Sequence, residues 1–190
     1  MGSLPFRQVH LDFHTSEHIC DVGRDFDAEE FARILREAHV NSITCFARCH
    51  HGMIYYDTRL PAKHPHLERN LLKEQIAACH RLGIKVPIYI TVGWDEYSAS
   101  RHPEWLERDT EGKPDGAGPL EAGWRKLCLN TGYVDYVVEQ TEEVMDLFGL
   151  EADGFFFDIV WQGECCCNRC LADMLKADLD PKSSPDRQRF

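Results

Sequence analysis

The sequence predicts an α/β fold of the TIM-barrel type, built from about four βα units, so half of a barrel or a truncated one. Short apolar runs rich in β-branched and aromatic residues alternate with amphipathic helical stretches along the chain. Such near-continuous apolar runs suit parallel strands covered on both faces. The chain has 190 residues, whereas a whole (β/α)8 barrel takes about 250. Residues 1–180 are expected to form the half-barrel and residues 181–190 a tail, marked by Pro181, Ser183, Ser184 and Pro185.

The first strand is expected at Arg7 to His14, where Val9, Leu11 and Phe13 alternate with His10, Asp12 and His14. Asp27 caps a helix over 27–39, with Glu30 completing a capping box and Phe31, Ile34, Leu35 and Ala38 as its apolar stripe. The second strand, Val40 to Ala47, runs into Arg48-Cys49-His50-His51-Gly52. Adjacent residues on a strand point opposite ways, so one of His50 and His51 faces inward unless the strand bulges. A long loop follows, then a helix over 67–82 stopped by Gly83. The third strand, Val86 to Val92, delivers Gly93-Trp94-Asp95-Glu96-Tyr97. An aromatic and two acids there suit either a sugar platform or a helix-capping turn. Residues 98–126, punctuated by Pro103, Gly112, Pro114, Gly116, Gly118, Pro119 and Gly123, read as irregular. A helix over 132–148 leads to the fourth strand, Gly154 to Val160, and a short helix over 171–177 ends the pattern.

The fourth strand carries the sharpest signal. Phe155-Phe156-Phe157 reads as a strand buried on both faces, ending in one carboxylate, Asp158. In a parallel barrel the C-terminal strand ends form the active-site mouth. Asp158 is therefore a candidate catalytic group, with a cap on the following turn as the alternative. His14, His50 and His51 are expected at the same mouth.

The composition, 43% hydrophobic with a formal charge of −11, supports one domain with a real core and argues against nucleic acid and anionic membranes as partners. No apolar run approaches the roughly 20 residues of a membrane span. The start, Met1 to Phe6, lacks a basic segment followed by an apolar one, so no signal peptide is expected and the location is read as cytoplasmic. Nine cysteines in such a chain point to metal or free thiols more than to disulfides. Cys165-x-Cys167-x-x-Cys170 has the short spacing that folds thiolates round one ion, with Cys128 as the fourth ligand. A structural zinc is the expected occupant; buried thiols without metal are the alternative. No cofactor is expected for catalysis.

The motifs resemble a known family. His10-Leu11-Asp12-Phe13-His14, Cys49-His50-His51-Gly52, Gly93-Trp94-Asp95-Glu96-Tyr97 and Gly154-Phe155-Phe156-Phe157-Asp158, in this order, resemble the hypothetical glycosyl hydrolases grouped with family 151 α-L-fucosidases. The likeness covers nearly the whole chain but only the N-terminal half of the family's catalytic barrel. The chain also resembles family 29 fucosidases, which have a sugar-contacting His-His pair after an early strand and an Asp nucleophile ending strand four. The resemblance implies a retaining α-L-fucosidase-like glycoside hydrolase with a carbohydrate substrate. It makes Asp158 the nucleophile and gives sugar contacts to His50 and His51, with His14, Trp94, Asp95 and Glu96 as further candidates for the substrate site. The cysteine pattern is similar to the zinc cluster of family 42 β-galactosidases, but those enzymes end strand four in Glu.

Other readings stand beside this one: a β-galactosidase-like glycosidase, or a metal-dependent hydrolase with His10, Asp12, His14 and His50 as ligands. The chain could also be a gene fragment, or an inactive zinc-stabilised half-barrel acting as an interaction module. Asp95 and Glu96 are weak candidates for the second carboxylate of a retaining mechanism. A half-barrel has two open strand edges and an uncovered inner face, which predicts self-association or a missing C-terminal half.

Overall fold

The computed structural model describes residues 5–118, 121–160 and 163–190. The first four residues, part of the start read as lacking a signal peptide, and Pro119 lie outside the described residues. The chain divides into two compact units. The first runs up to Thr91 and resumes over Gln140–Asp158; the second holds Val92–Glu139 and Ile159–Phe190.

The first unit contains a parallel four-stranded sheet: β1 (Gln8–His10), β2 (Ser42–Arg48), β3 (Ile88–Thr91) and β4 (Phe155–Asp158), in the order β1-β2-β3-β4. With the crossover helices α1 (Ala28–Glu37) and α2 (Leu71–Arg81) this is half of a TIM-type barrel. Asp27 caps α1, its carboxylate accepting the Glu30 N–H at 2.8 Å, and the Asn70 side chain caps α2. Strand and helix ends lie a few residues inside the expected ones. The first strand is cut back most, because past His10 the chain leaves the ladder.

Outward-facing Ile43, Cys45, Ile88 and Ile90, with Leu72, Ile76 and Cys79 of α2, are buried. The stripe expected on α1 is rotated: Ala32 and Leu35 are buried, while Ile34 is 51% exposed. On the inner face each strand contributes one ring. His10 and Phe46 lie 5.4 Å apart, Phe46 and Tyr89 stack at 3.9 Å, and Tyr89 and Phe156 at 5.8 Å.

The expectation that Phe155-Phe156-Phe157 is buried on both faces is corrected. Phe156 and Phe157 are 45% and 42% exposed, because β4 ends the strand order and only β3 pairs with it.

The second unit holds α3 (Glu96–Arg101), a 3-10 turn at Pro103–Trp105, α5 (Asn168–Lys176) and α6 (Ser184–Arg189). Helix α4 (Tyr133–Phe148) begins in this unit and ends in the first. Residues 98–126, read as irregular, contain most of α3, the 3-10 turn and isolated antiparallel bridges such as Arg108 with Pro114 and Gly116 with Arg125. Val92, Ala99, Leu106, Leu127, Tyr133 and Val137 form a small core. The stretch read as a tail carries α6, whose start is capped by the Ser183 side chain. Among the described residues no helix is long and apolar enough to cross a membrane.

One buried carboxylate organises the long loop after β2. Glu143, on the α4 part of the first unit, accepts hydrogen bonds from Tyr56 Oη at 2.8 Å, Thr58 Oγ1 at 2.5 Å and the Arg59 N–H at 2.7 Å. Burial pushes its carboxyl up, but the hydrogen bonds from Thr58, Arg59 and Tyr56 outweigh burial and hold it below the usual range. A depressed folded pKa means the stabilisation is present above the unfolded value, near 4.5, and is lost as pH falls through the lower folded value. Glu143→Gln is expected to destabilise the fold by about 1–3 kcal/mol at pH 7. Urea unfolding should show the difference narrowing below about pH 4. A difference independent of pH would mean that the carboxylate charge plays no part.

Candidate active site

Asp158 pairs in register with Thr91, each the last residue of its strand. The pleat repeats every two residues, so Asp158 shares a face with Phe156, as Thr91 does with Tyr89. The stacking of Tyr89 on Phe156 makes this the inner face. Tyr89 Oη donates a 2.7 Å hydrogen bond to Asp158 Oδ2. Burial, reinforced by the hydrogen bond and charge of Asp158, pushes the Tyr89 phenol far above its ordinary value, so it stays a donor. The Asp158 side chain is 32% exposed, within reach of solutes.

The histidines lie on the same side. His50 Nε2 is 3.9 Å from Asp158 Oδ2, and its Nδ1 is 2.8 Å from Thr91 Oγ1. His14 stacks on His50 with centroids 4.2 Å apart, and His14 Nδ1 accepts the His50 backbone N–H at 3.2 Å. Burial and the neighbouring His14 pull His50 down to about 4, against the pull of Asp158. Burial also lowers His14. Both rings are therefore neutral at pH 7, able to donate or accept hydrogen bonds without carrying charge. Fully buried Arg48 donates to the Thr91 carbonyl at 2.5 Å, a fixed cation beside this polar cluster.

Strand β2 bulges between Phe46 and Arg48, and a turn closed by the Gly52 N–H on the Cys49 carbonyl carries His50 and His51. Gly52 takes φ 81°, a left-handed conformation that favours glycine. His51 is half-buried and close enough to press the pKa of both His14 and His50 downward.

The proposed ligand set His10, Asp12, His14 and His50 does not converge. His10 Nε2 meets Asp12 Oδ1 at 3.1 Å, while one nitrogen each of His14 and His50 is engaged as described. Among the described residues, the ligand atoms that gather closely enough for a metal are four sulfurs, those of Cys128, Cys165, Cys167 and Cys170.

Trp94, Asp95 and Glu96 belong to the second unit. Asp95 is fully buried and caps α3, accepting the Ser98 N–H at 2.8 Å and Ser98 Oγ at 2.7 Å. Glu96 binds Arg125 through its backbone N–H and Nε, both at 2.7 Å. Of the two local readings, the capping turn is what these carboxylates make. Trp94 is half-buried and bridges to Lys126.

The four cysteines are buried, with ligand atoms all within 4.8 Å of one another. Sγ of Cys128 lies 3.5 Å from that of Cys170 and 3.7 Å from that of Cys167. Four thiolates at about 2.3 Å from one tetrahedral ion would have sulfurs about 3.8 Å apart, so the set fits a single metal ion. The buried thiols share their protons: hydrogen bonds from Cys128 and Cys170 pull the Cys165 thiol below its ordinary value, while the contact with Cys165 pushes Cys128 above its own. The Asn130 side chain reaches Cys170 Sγ at 3.8 Å and Asp173 at 3.1 Å, a support for the ligand set.

Tyr89, Thr91 and Arg48 are site features that reading the sequence missed. Tyr89 and Thr91 had a signal: they are the polar residues, two apart, on the otherwise apolar run Val86 to Val92.

The parallel half-barrel thus presents a carboxylate at the end of β4, held by a tyrosine and flanked by stacked histidines, at the strand ends where barrel enzymes keep their active sites. The chain belongs to the family described as hypothetical glycosyl hydrolase 6, whose model matches residues 27–159. It is similar to α-L-fucosidase isoenzyme 2 from Paenibacillus thiaminolyticus, with 46% identity and a TM-score of 0.92, over 97% of this chain and 28% of that one. The chain thus spans little more than a quarter of that enzyme. The Thermotoga maritima α-fucosidase shares the fold at 19% identity and TM-score 0.56, over 85% of this chain and 34% of that one. A hypothetical protein from Ruminiclostridium thermocellum shares it at 12% identity and TM-score 0.57, over 96% of this chain and 92% of that one. No curated protein matches.

The buried histidine gives a pH signature. His50 is neutral in the fold down to about pH 4, whereas an unfolded histidine protonates near 6.5. Its depressed pKa contributes stability that is full above 6.5 and is lost as pH falls toward 4. Histidine-selective NMR should find the His50 midpoint near 4. A midpoint near 6.5 would show that the ring is hydrated in solution.

Proposed function

We propose that this chain is the N-terminal half of the catalytic barrel of a retaining α-L-fucosidase, with Asp158 as nucleophile. The observation that carries the reading is the 2.7 Å hydrogen bond from Tyr89 to Asp158 Oδ2 at the strand end, beside His50 and His14. A nucleophilic carboxylate must be ionised, held rigidly and open to the sugar. Tyr89 holds one oxygen, and the strand end supplies the rigidity. Asp158 attacks the anomeric carbon to form a glycosyl-enzyme, which water then hydrolyses. His14, His50 and His51 hydrogen-bond sugar hydroxyls in this reading. Trp94 keeps the sugar-contact role proposed from the sequence, while Asp95 and Glu96 hold their loop and are not assigned to the sugar.

A second carboxylate, about 5 Å from the nucleophile in retaining enzymes, protonates the leaving oxygen. No residue of this chain is assigned that role; the Paenibacillus enzyme extends far beyond the matched part. The four cysteines would hold a structural zinc that takes no part in the chemistry and fastens the segment after β4 to the segment before α4. The nine free cysteines suit a reducing, cytoplasmic setting. A second reading is a half-barrel that acts through assembly, as an interaction module. Its exposed Phe156 and Phe157 on a terminal strand would drive self-association, and light scattering showing a stable monomer at high concentration counts against it.

In the chain extended to a whole barrel, Asp158→Ala should cut hydrolysis of an aryl α-L-fucoside by several orders of magnitude, with azide partly restoring turnover. A mutant keeping more than about a tenth of the turnover has lost under roughly 1.4 kcal/mol of barrier stabilisation, and the nucleophile then lies elsewhere. Separately, chelator-free protein should carry about one zinc per chain, and Cys167→Ser should lose it. Metal-free protein, or unchanged zinc in the mutant, removes the metal from the account.

A further inference from the structure

The two central histidines come from distant parts of the chain, and a fully buried tyrosine hydroxyl joins the backbones that carry them. Tyr55 Oη accepts the Thr15 N–H at 3.1 Å and lies 2.7 Å from Thr15 Oγ1, 3.3 Å from the Phe13 carbonyl and 2.9 Å from Cys49 Sγ. Phe13 and Thr15 flank His14, and Cys49 precedes His50. Cys49 Sγ in turn lies 3.8 Å from the Thr15 carbonyl, closing a ring of polar contacts. A phenol has one proton and two acceptor sites, so two Thr15 donors and one recipient, Cys49 or Phe13, satisfy it. Outside this ring Tyr55 makes ring contacts with Phe13 at 4.8 Å and His64 at 6.3 Å.

We infer that Tyr55 is a positioning residue: its hydroxyl sets the His14–His50 stack by tying residues 13–15 to Cys49. The stack depends on that spacing. His14 Nδ1 can accept the His50 N–H only while the two segments stay in contact, and that acceptance fixes His14 in the Nε2–H form. Its Nε2 lies 3.7 Å from Asp12 Oδ1. Asp12, Asp158, His10 and His51 also act on one or both rings, so a shifted stack changes every partner together. The consequence for sugar binding rests on the reading of His14 and His50 given above; the positioning itself does not.

Neighbouring Tyr56 is the natural control. It is equally buried, lies in the same loop and has a hydroxyl that goes to Glu143 instead. Histidine 15N and 13C NMR on the 190-residue chain should show wild-type His14 as a single Nε2–H tautomer and His50 titrating near 4. Tyr55→Phe is expected to give His14 mixed tautomers and to move the His50 midpoint toward 6.5, with circular dichroism unchanged. Tyr56→Phe should leave both signals in place. Thr15→Ala, which removes the partner hydroxyl at a half-buried position, should shift them in the same direction and serves if Tyr55→Phe does not fold. The inference is overturned if the histidine signals stay as in wild type in whichever of these variants folds, or if Tyr56→Phe moves them as much. Because the readout is not turnover, inactivity of Asp158-intact protein on fucosides leaves this result standing and counts only against the catalytic reading.

Discussion

The parallel register of β3 with β4 is the constraint on which the site depends. Ile88, Tyr89, Ile90 and Thr91 face Phe155, Phe156, Phe157 and Asp158 in strict succession. Because the pleat has period two, that register decides which residues look inward, and a slip of one would send Asp158 to the opposite face. The inner ring stack of Phe46, Tyr89 and Phe156 reinforces it, since the rings meet only in this alignment. Tyr89 then stands one pleat below Thr91 and reaches Asp158 with its hydroxyl.

Around that ladder, buried polar groups do the work of shaping loops. A carboxylate out of water needs donors. Glu143 gathers Tyr56, Thr58 and Arg59; Asp95 caps α3; Glu96 holds Arg125. These acids resemble catalytic groups in a sequence, yet their oxygens are spent on backbone amides and neighbouring side chains. Asp158 differs because its identified donor is a tyrosine hydroxyl at a strand end, and its side chain remains partly open to solvent.

The cysteine cluster follows another logic. Its thiols draw together residues more than 35 positions apart, from before α4 and from the start of α5. Thiols at 3.5 to 3.7 Å are too far apart for a disulfide and well spaced for a shared ion. The second unit has its own small core around Leu106, Leu127 and Tyr133, and a metal cross-link would add to it.

Periodicity and spacing in the chain by themselves determined the βα alternation, the parallel half-barrel, the Asp27 cap, the placement of Asp158 at a strand end and the Cys128–Cys165–Cys167–Cys170 set. Each of these is written in local pattern: period two, period 3.6, or a short run of one residue type. The tertiary structure alone decided what depends on distant neighbours. It brought His14 onto His50, gave Asp158 its tyrosine and turned Asp95 and Glu96 into structural acids. It also left Phe156 and Phe157 half-open, because burial of a strand depends on how many strands flank it and not on its own apolarity. Tyr55 was invisible for the same reason. Nothing in a tyrosine's local sequence records which two segments its hydroxyl will join, and that is set only when the loop folds back over β1 and β2.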